Sequence, residues 1–507
     1  MSEYVLGSVF VLCVVKVLVR ALAQDRRCWF GHTTFTSSRK QLQEQPHCMA
    51  PLPVPRQCVG LQMLPEELLV MIMEHLESRD VLRLRKASWQ FEGPSRERSV
   101  WLSILANARL PRPFWLPNPV QECSAAEIER SVVEWSRSAF RTAKPRATLQ
   151  NKMADATDLN PLRMTPDGDF LLMASKGGSI YYRRIRQPGD SPMLLLPTPT
   201  DSDPRLNVST RIAFDIVSNS VNDAVLFPAS FNVAVMRTTR PPGRGERATG
   251  VVIEVWRLTR VKDCGYSTQR LASYNEDPAT EPACPSLYGE HLAYILREYE
   301  CVVIVNWTTV PSGTTSFPRF YVNPGGRKVI LLPGKRVAIC GRRQIAIHIW
   351  DQAYHATYTD AFRFAQMSGR GLVWCHHIPK DLYPRASHSF YLVGNTARFV
   401  VGLTTGIIGI IVPFSSDDYQ HVTLLSCPSV TAAWRESYGY HKGAILLFGT
   451  LFVLNYPWPD DPPPRVANKR AIRKFKDHLS HHVSFNEYTN EVIVGDYRSR
   501  IATRYKV

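Results

Sequence analysis

From about residue 158 onward the chain shows no helical periodicity. Short β-branched and aromatic runs alternate there with turn clusters, and this limits the fold more than any other feature. Thr165-Pro166-Asp167-Gly168-Asp169 is a turn signal, and Phe170 to Ala174 reads as a strand. Lys176-Gly177-Gly178 is a second turn, and Ser179 to Tyr182 a second strand. Similar runs recur at 251–256, 301–307, 336–340, 345–351, 399–403, 406–412, 483–485 and 491–495, with 500–503 closing the series. A chain of this kind must satisfy many strand edges, either by closing a sheet system on itself or by stacking two sheets.

The turn, strand, Gly-Gly, strand order resembles a degenerate WD-type repeat. Trp350-Asp351 matches the dipeptide of that family, whereas the Gly-His element is absent where a regular repeat would carry it. The resemblance implies a β-propeller with a loose repeat, and a pair of β-sandwiches is the alternative. Residues 158–507, at roughly 40–45 residues per repeat, leave room for seven or eight blades. Ring closure normally sets the last strand beside the first, which gives residues 490–507 a structural role.

The stretch Leu64 to Trp101 has a different period. Pro65 suits the first turn of a helix, and Glu66 and Glu67 put negative charge at its positive end. Leu64, Leu68, Leu69, Ile72 and Leu76 follow at helical spacing as one apolar stripe. Asp80 is an N-cap candidate for a second helix carrying Val81, Leu84 and Ala87. Trp89, Phe91, Trp101, Leu102 and Leu105 extend the pattern into a third. Helices this short do not bury such a surface alone, so the rest of the chain or a partner covers part of it.

Leu64-Pro65-Glu66-Glu67-Leu68-Leu69, Ile72, Leu76, the Ser78-Arg79-Asp80 break, Val81 to Arg85 and Val100-Trp101 closely resemble an F-box. The departure is at Ala87 to Phe91, where a small or basic run is usual. The resemblance implies a docking module for the Skp-type adaptor of a cullin–RING ubiquitin ligase. On the matching positions it implies adaptor contacts at Leu64, Pro65, Leu68, Ile72, Leu76 and Trp101. For each of them the competing reading is internal core of the three-helix module.

The expected organisation is α+β and multidomain. A hydrophobic segment at 1–24 and a linker at 25–60 precede the F-box at 61–108. A helical linker at 109–157 then leads to an all-β recognition domain at 158–507. Within the linker, Ser124-Ala125-Ala126-Glu127 is a capping-box pattern opening a helix to about Ala143. Residues 5–15 are apolar and Ala21-Leu22-Ala23 resembles a signal-peptidase site, but Lys16 and Arg20 interrupt any span. A cytosol-facing anchor through residues 4–23, a signal peptide, and a non-functional extension or misassigned start all stay open. The sequons at Asn207 and Asn306 matter only in a secretory protein.

The formal net charge of +17 suits an acidic or phosphorylated protein target, while the absence of any nucleic-acid motif argues against that partner. Eleven scattered cysteines without a C-x-x-C read as reduced thiols of a cytoplasmic or nuclear protein, not as a disulfide or zinc framework. P-loop, G-x-S-x-G and H-E-x-x-H motifs are absent, so no enzyme and no cofactor is expected. Cys375, His376, His377 and His388 do not make a metal site, because adjacent residues of a strand point apart. The basic stretch Lys469, Arg470, Arg473, Lys474 and Lys476, with His478, His481 and His482, reads as a solvated inter-blade insertion with helical tendency.

The expected function is that of a ligase substrate receptor, with the F-box on the adaptor and the β domain on the target. A secretory-pathway propeller with an accidental F-box pattern and a ligase-independent F-box scaffold are the alternatives.

Overall fold

The structure is a computed structural model. It describes residues 61–107, 116, 120–138, 146–152, 163–165, 168–185, 191–198, 206–215, 230–241, 246–261, 265–323, 326–357, 370–379, 384–387, 390–426, 433–447, 449–461, 467–474, 481–487, 491–496 and 501–506. The expectations for residues 1–24 and 25–60, and those resting on His388, Lys476 and His478, lie outside the described residues. Among the described residues no helix is long and apolar enough to cross a membrane. The chain divides into two compact units, Met1–Ala108 with Ser124–Val132, and Arg109–Cys123 with Val133–Val507.

The first unit is helical. Helix α1 spans Glu66–Glu74, α2 Ser78–Ala87 and α3 Arg98–Asn107, with 3-10 turns at Trp89–Phe91 and Pro94–Arg96 before α3. Pro65 is the residue before α1, where the helix needs no N–H from it. Asp80 is not a cap: α2 begins earlier, at Ser78, and Asp80 pairs with Arg83 at 2.9 Å inside its first turn. Leu69, Met73, Val81, Phe91, Val100, Trp101, Ile104 and Leu105 are buried. Helix α4 spans Ala125–Ser138 and opens on the expected capping box. The Ser124 N–H donates to the Glu127 carboxylate at 2.8 Å, and the Glu127 N–H returns a bond to Ser124 Oγ at 3.3 Å. Ile128 and Val132 of its first part are buried.

The second unit contains seven antiparallel sheets among the described residues, six of them built from strands consecutive or nearly so in sequence. Their first strands are Arg163–Met164, Asn207–Asp215, Pro282–Tyr288, Lys328–Leu332, Arg385–Ala386, Ala433–Tyr438 and His481–Asn486, here the starts of blades one to seven. Blade three gains an edge strand, Tyr354–Thr357, that departs from between the third and fourth strands of blade four. Blade seven takes its fourth strand from the other end of the unit: Arg146–Lys152 pairs antiparallel with Ile501–Lys506. The closing strand therefore lies inside 109–157, the span expected to be helical linker, and the ring begins before residue 158.

The strands are apolar on both faces because each blade is covered by two neighbours. Every consecutive pair of blades shares its own buried core. Leu172 and Val233 join blades one and two, and Val255 and Tyr294 join two and three. Ile304 and Val337 join three and four, Ile347 and Phe399 join four and five. Ile445 with Val400, and Val453 with Val492, continue the series. Ile493 against Met164 and Met173 joins blade seven back to blade one. Seven sheets, seven shared cores and one strand exchanged between the ends define a closed seven-bladed β-propeller.

Some of the charged groups inside this ring are paired. Glu276 accepts from Arg319 at 2.8 and 2.9 Å, with both side chains fully buried, and also from the Tyr294 hydroxyl. Trp350 of the Trp-Asp dipeptide is buried against Phe320 of blade three, with ring centroids 5.0 Å apart, and Asp351 pairs with Lys335 at 2.9 Å. The basic stretch is not a helical insertion. Lys469, Arg470, Arg473 and Lys474 lie on Asn468–Lys474, the fourth strand of blade six, where charge blunts an exposed sheet edge. His481 and His482 start the first strand of blade seven.

Candidate functional site

Helix α1 presents two apolar faces, because its hydrophobic residues outnumber those one stripe can hold. Leu69 and Met73, four apart, turn inward and are buried. Leu68 and Met71, with Ile72, share the neighbouring face. Leu68 is 44% and Met71 58% exposed, and Met63, just ahead of the helix, is 75% exposed. Of the eight exposed large hydrophobic residues among those described, these three and Trp89 fall within the helical unit. An apolar strip of this density on so small a unit is the candidate interaction surface among the described residues.

The expected contact residues divide accordingly. Pro65 and Leu68 are exposed, while Leu64, Ile72 and Leu76 are half-buried at the margin of the same helix. Trp101 is different: it is fully buried in α3, and its indole N–H donates to the Ser95 carbonyl at 2.9 Å. Expected at the adaptor face, it instead forms the centre of the module, because a large aromatic with one N–H is best placed where a backbone acceptor is buried with it.

The residue that organises this centre is Arg85, which the sequence did not single out. Its guanidinium lies 6.0 Å above the Trp101 ring and donates to Ser95 Oγ at 2.7 Å and to the Ser95 carbonyl at 2.8 Å. It also forms a two-pronged pair with Glu129 of α4, at 2.8 and 3.0 Å. The fixed fork of arginine makes such planar, multiple contacts possible where lysine would not. Ser103 Oγ donates to the Glu74 carbonyl at 2.8 Å and so ties α3 to the end of α1. Met63 and Met71 were also missed, although Met71 stands three residues after Leu68 and the helical period could have found it. Trp89 occupies the position where a small or basic residue is usual, and it is 81% exposed.

Among the described residues no group of three or more His, Cys, Asp or Glu is placed to hold a metal ion. On strand Leu372–His377, His376 faces away from Cys375 and His377 and lies against His421 of blade five, with ring centroids 4.1 Å apart.

The F-box domain family matches this chain at residues 61–92, which contain α1, α2 and the Trp89–Phe91 turn. No curated protein sequence matches the chain. Among solved structures, the chain is similar to the β-propeller domain of Cps50 (Swd1) from Myceliophteria thermophila, at 11% identity and a TM-score of 0.45, covering 72% of this chain and 99% of that one. A chain of the mitotic checkpoint complex is similar at 10% identity and a TM-score of 0.36, covering 72% of this chain and 96% of that one. BamB from Moraxella catarrhalis is similar at 7% identity and a TM-score of 0.34, covering 72% and 100%. At these levels the propeller rests on the strand pairing and shared cores of this chain itself. The chain carries an F-box domain at residues 61–92, followed by a closed seven-bladed β-propeller.

Proposed function

We propose that this chain is a substrate receptor of a Skp/cullin/F-box ubiquitin ligase, with the F-box unit docking a Skp-type adaptor and the propeller holding a target protein. The observation that carries the reading is the exposed strip of Met63, Leu68 and Met71 beside half-buried Leu64, Ile72 and Leu76. Such a strip suits helix-in-groove docking, in which each Leu or Met newly buried contributes about 1.5–3 kcal/mol. Leu64, Pro65, Leu68, Ile72 and Leu76 are the adaptor-facing residues in this reading, and Trp101 supports them from within.

The chain makes no covalent bond itself. It acts by proximity, holding a lysine of the target near the charged ubiquitin carrier. Loops from all seven blades converge on the propeller rim, which suits target recognition, and the net charge of +17 favours an acidic or phosphorylated target. The reading places the chain in the cytoplasm or nucleus, in keeping with free thiols at Cys123, Cys284, Cys301, Cys340 and Cys375.

Co-purification of the Skp-type adaptor with the full chain tests the proposal. The wild type is expected to retain the adaptor, and the double variant Leu68→Asp, Met71→Asp to lose it while melting at the wild-type temperature. Failure of the correctly folded wild type to bind any adaptor of this class would overturn it.

A further inference from the structure

Methionine is an apolar side chain whose polarity a mild oxidant reverses, because its thioether sulfur is open to attack wherever solvent reaches it. Met63, Met71 and Met73 stand close together in the F-box, and the fold sorts them. Met63, ahead of α1, is 75% exposed and Met71 is 58% exposed, whereas Met73 is 1% exposed. Met71 lies three residues after Leu68 on the open face of α1, while Met73 turns inward with Leu69. In the propeller Met164, Met173 and Met236 are buried. Met193 is 38% exposed, and its sulfur accepts from the Tyr182 hydroxyl at 3.7 Å. The two most exposed methionines among the described residues therefore both belong to the apolar strip of the helical unit.

A peroxide supplies the oxidant. The sulfur lone pair attacks one peroxide oxygen, so that an S–O bond forms as the O–O bond breaks. The proton on the attacked oxygen passes to the departing hydroxide, which leaves as water. Sulfur gives up two electrons and the peroxide takes them. The product is a sulfoxide, polar and a strong hydrogen-bond acceptor. Carried into a dry apolar groove without a donor to meet it, such a group opposes binding. Met73 is shielded inside the module, so the core of the helical unit is spared. Methionine sulfoxide reductases reverse the change: two of their thiols become a disulfide, and the sulfoxide oxygen leaves as water.

We propose that Met63 and Met71 form a reversible oxidation site within the adaptor-facing strip, and that their conversion to sulfoxides by a peroxide disfavours adaptor docking; this rests on the docking reading given above. The free chain is the form that reacts, since docking would cover both sulfurs. An adaptor already seated therefore protects them, and oxidation acts on reassembly. Leucine at either position would keep the apolar contact and lose the sensitivity, so the thioether adds a response to oxidant that packing alone does not need.

The test treats the full chain with hydrogen peroxide, then with dithiothreitol, and measures its affinity for a purified Skp-type adaptor. Dithiothreitol restores reversibly oxidised thiols, such as those of the partly exposed Cys284 and Cys375, but leaves the sulfoxides, which need their own reductases. Peptide mass spectrometry is expected to find one added oxygen at Met63 and at Met71 well before Met73. Adaptor affinity should fall about ten-fold or more, return after treatment with methionine sulfoxide reductases, and stay unchanged in the double variant Met63→Leu, Met71→Leu. Adaptor bound before the peroxide should slow oxidation at both positions. A chain carrying both sulfoxides that binds the adaptor as tightly as the reduced chain would overturn the proposal and leave docking intact. An equal loss of affinity in the double leucine variant, or oxidation that spares Met63 and Met71, would also overturn it. No binding by the reduced wild type would remove the docking reading itself and this inference with it.

Discussion

Replacing Trp101 separates the two meanings a tryptophan can have in an F-box. It is fully buried, donates to the Ser95 carbonyl at 2.9 Å and lies under the Arg85 guanidinium. Truncation to alanine removes the whole ring from a packed core, at a cost of about 3–5 kcal/mol. A helical unit this small has about 3–5 kcal/mol of core stability in total. Trp101→Ala should therefore unfold the helical unit. Trp101→Phe keeps most of the ring and loses one hydrogen bond, a cost of about 1 kcal/mol plus a small packing term. The Ser95 carbonyl keeps its second donor, Arg85, at 2.8 Å, so this variant should stay folded and keep the adaptor. Hydrogen exchange on the full chain reads both outcomes: amides of α1 and α2 should lose protection in the alanine variant and keep it in the phenylalanine variant. If Trp101→Ala left that protection intact and abolished adaptor capture, Trp101 would be an interface residue and its assignment to the core would be wrong.

Other expectations concern the pairs and the ring. Arg85→Lys should lower the melting temperature of the helical unit, because a lysine cannot serve Ser95 and both oxygens of Glu129 together; equal melting would contradict the hub. Tyr505→Ala, in the strand beside the closing strand and 2% exposed, should destabilise the propeller by about 3–5 kcal/mol, measured by denaturant titration. Glu276→Gln leaves Arg319 buried without its counter-charge and should cost about 3–5 kcal/mol. For Glu436 the folded-state value lies above the ordinary one, near 7 against 4.5, so the folded chain holds the proton more tightly. Its contribution is present below about 4.5 and is lost as pH rises through about 7, and Glu436→Gln should remove that part of the pH dependence. An unchanged melting profile between those pH values would place Glu436 in solvent.

The strands at Phe170–Ala174 and Ile180–Arg184 were legible because each is a short apolar run bounded by a glycine turn. Blade number was not. Blade two uses strands of eleven and twelve residues, Ser230–Arg240 and Gly250–Val261, so it consumes more chain than a regular repeat. The strand Arg146–Lys152 has no apolar run to announce it, since an edge strand needs no second buried face. Nor could sequence show that Tyr354–Thr357, lying between strands of blade four, joins blade three. In the helical unit, periodicity located α1 but could not say which of its two apolar faces turns inward. That choice is fixed by α3 and the turn at Pro94–Arg96, contacts far apart in sequence. The capping box at Ser124 was readable because both of its bonds are local.

The most direct test of docking through the exposed face of α1 is hydrogen exchange of the full chain with and without a purified Skp-type adaptor. Adaptor docking should protect residues 63–72, where Met63, Leu68 and Met71 are exposed, and leave the already protected core of α3 unchanged. Stable adaptor binding with no added protection at 63–72, or protection confined to the propeller, would contradict it.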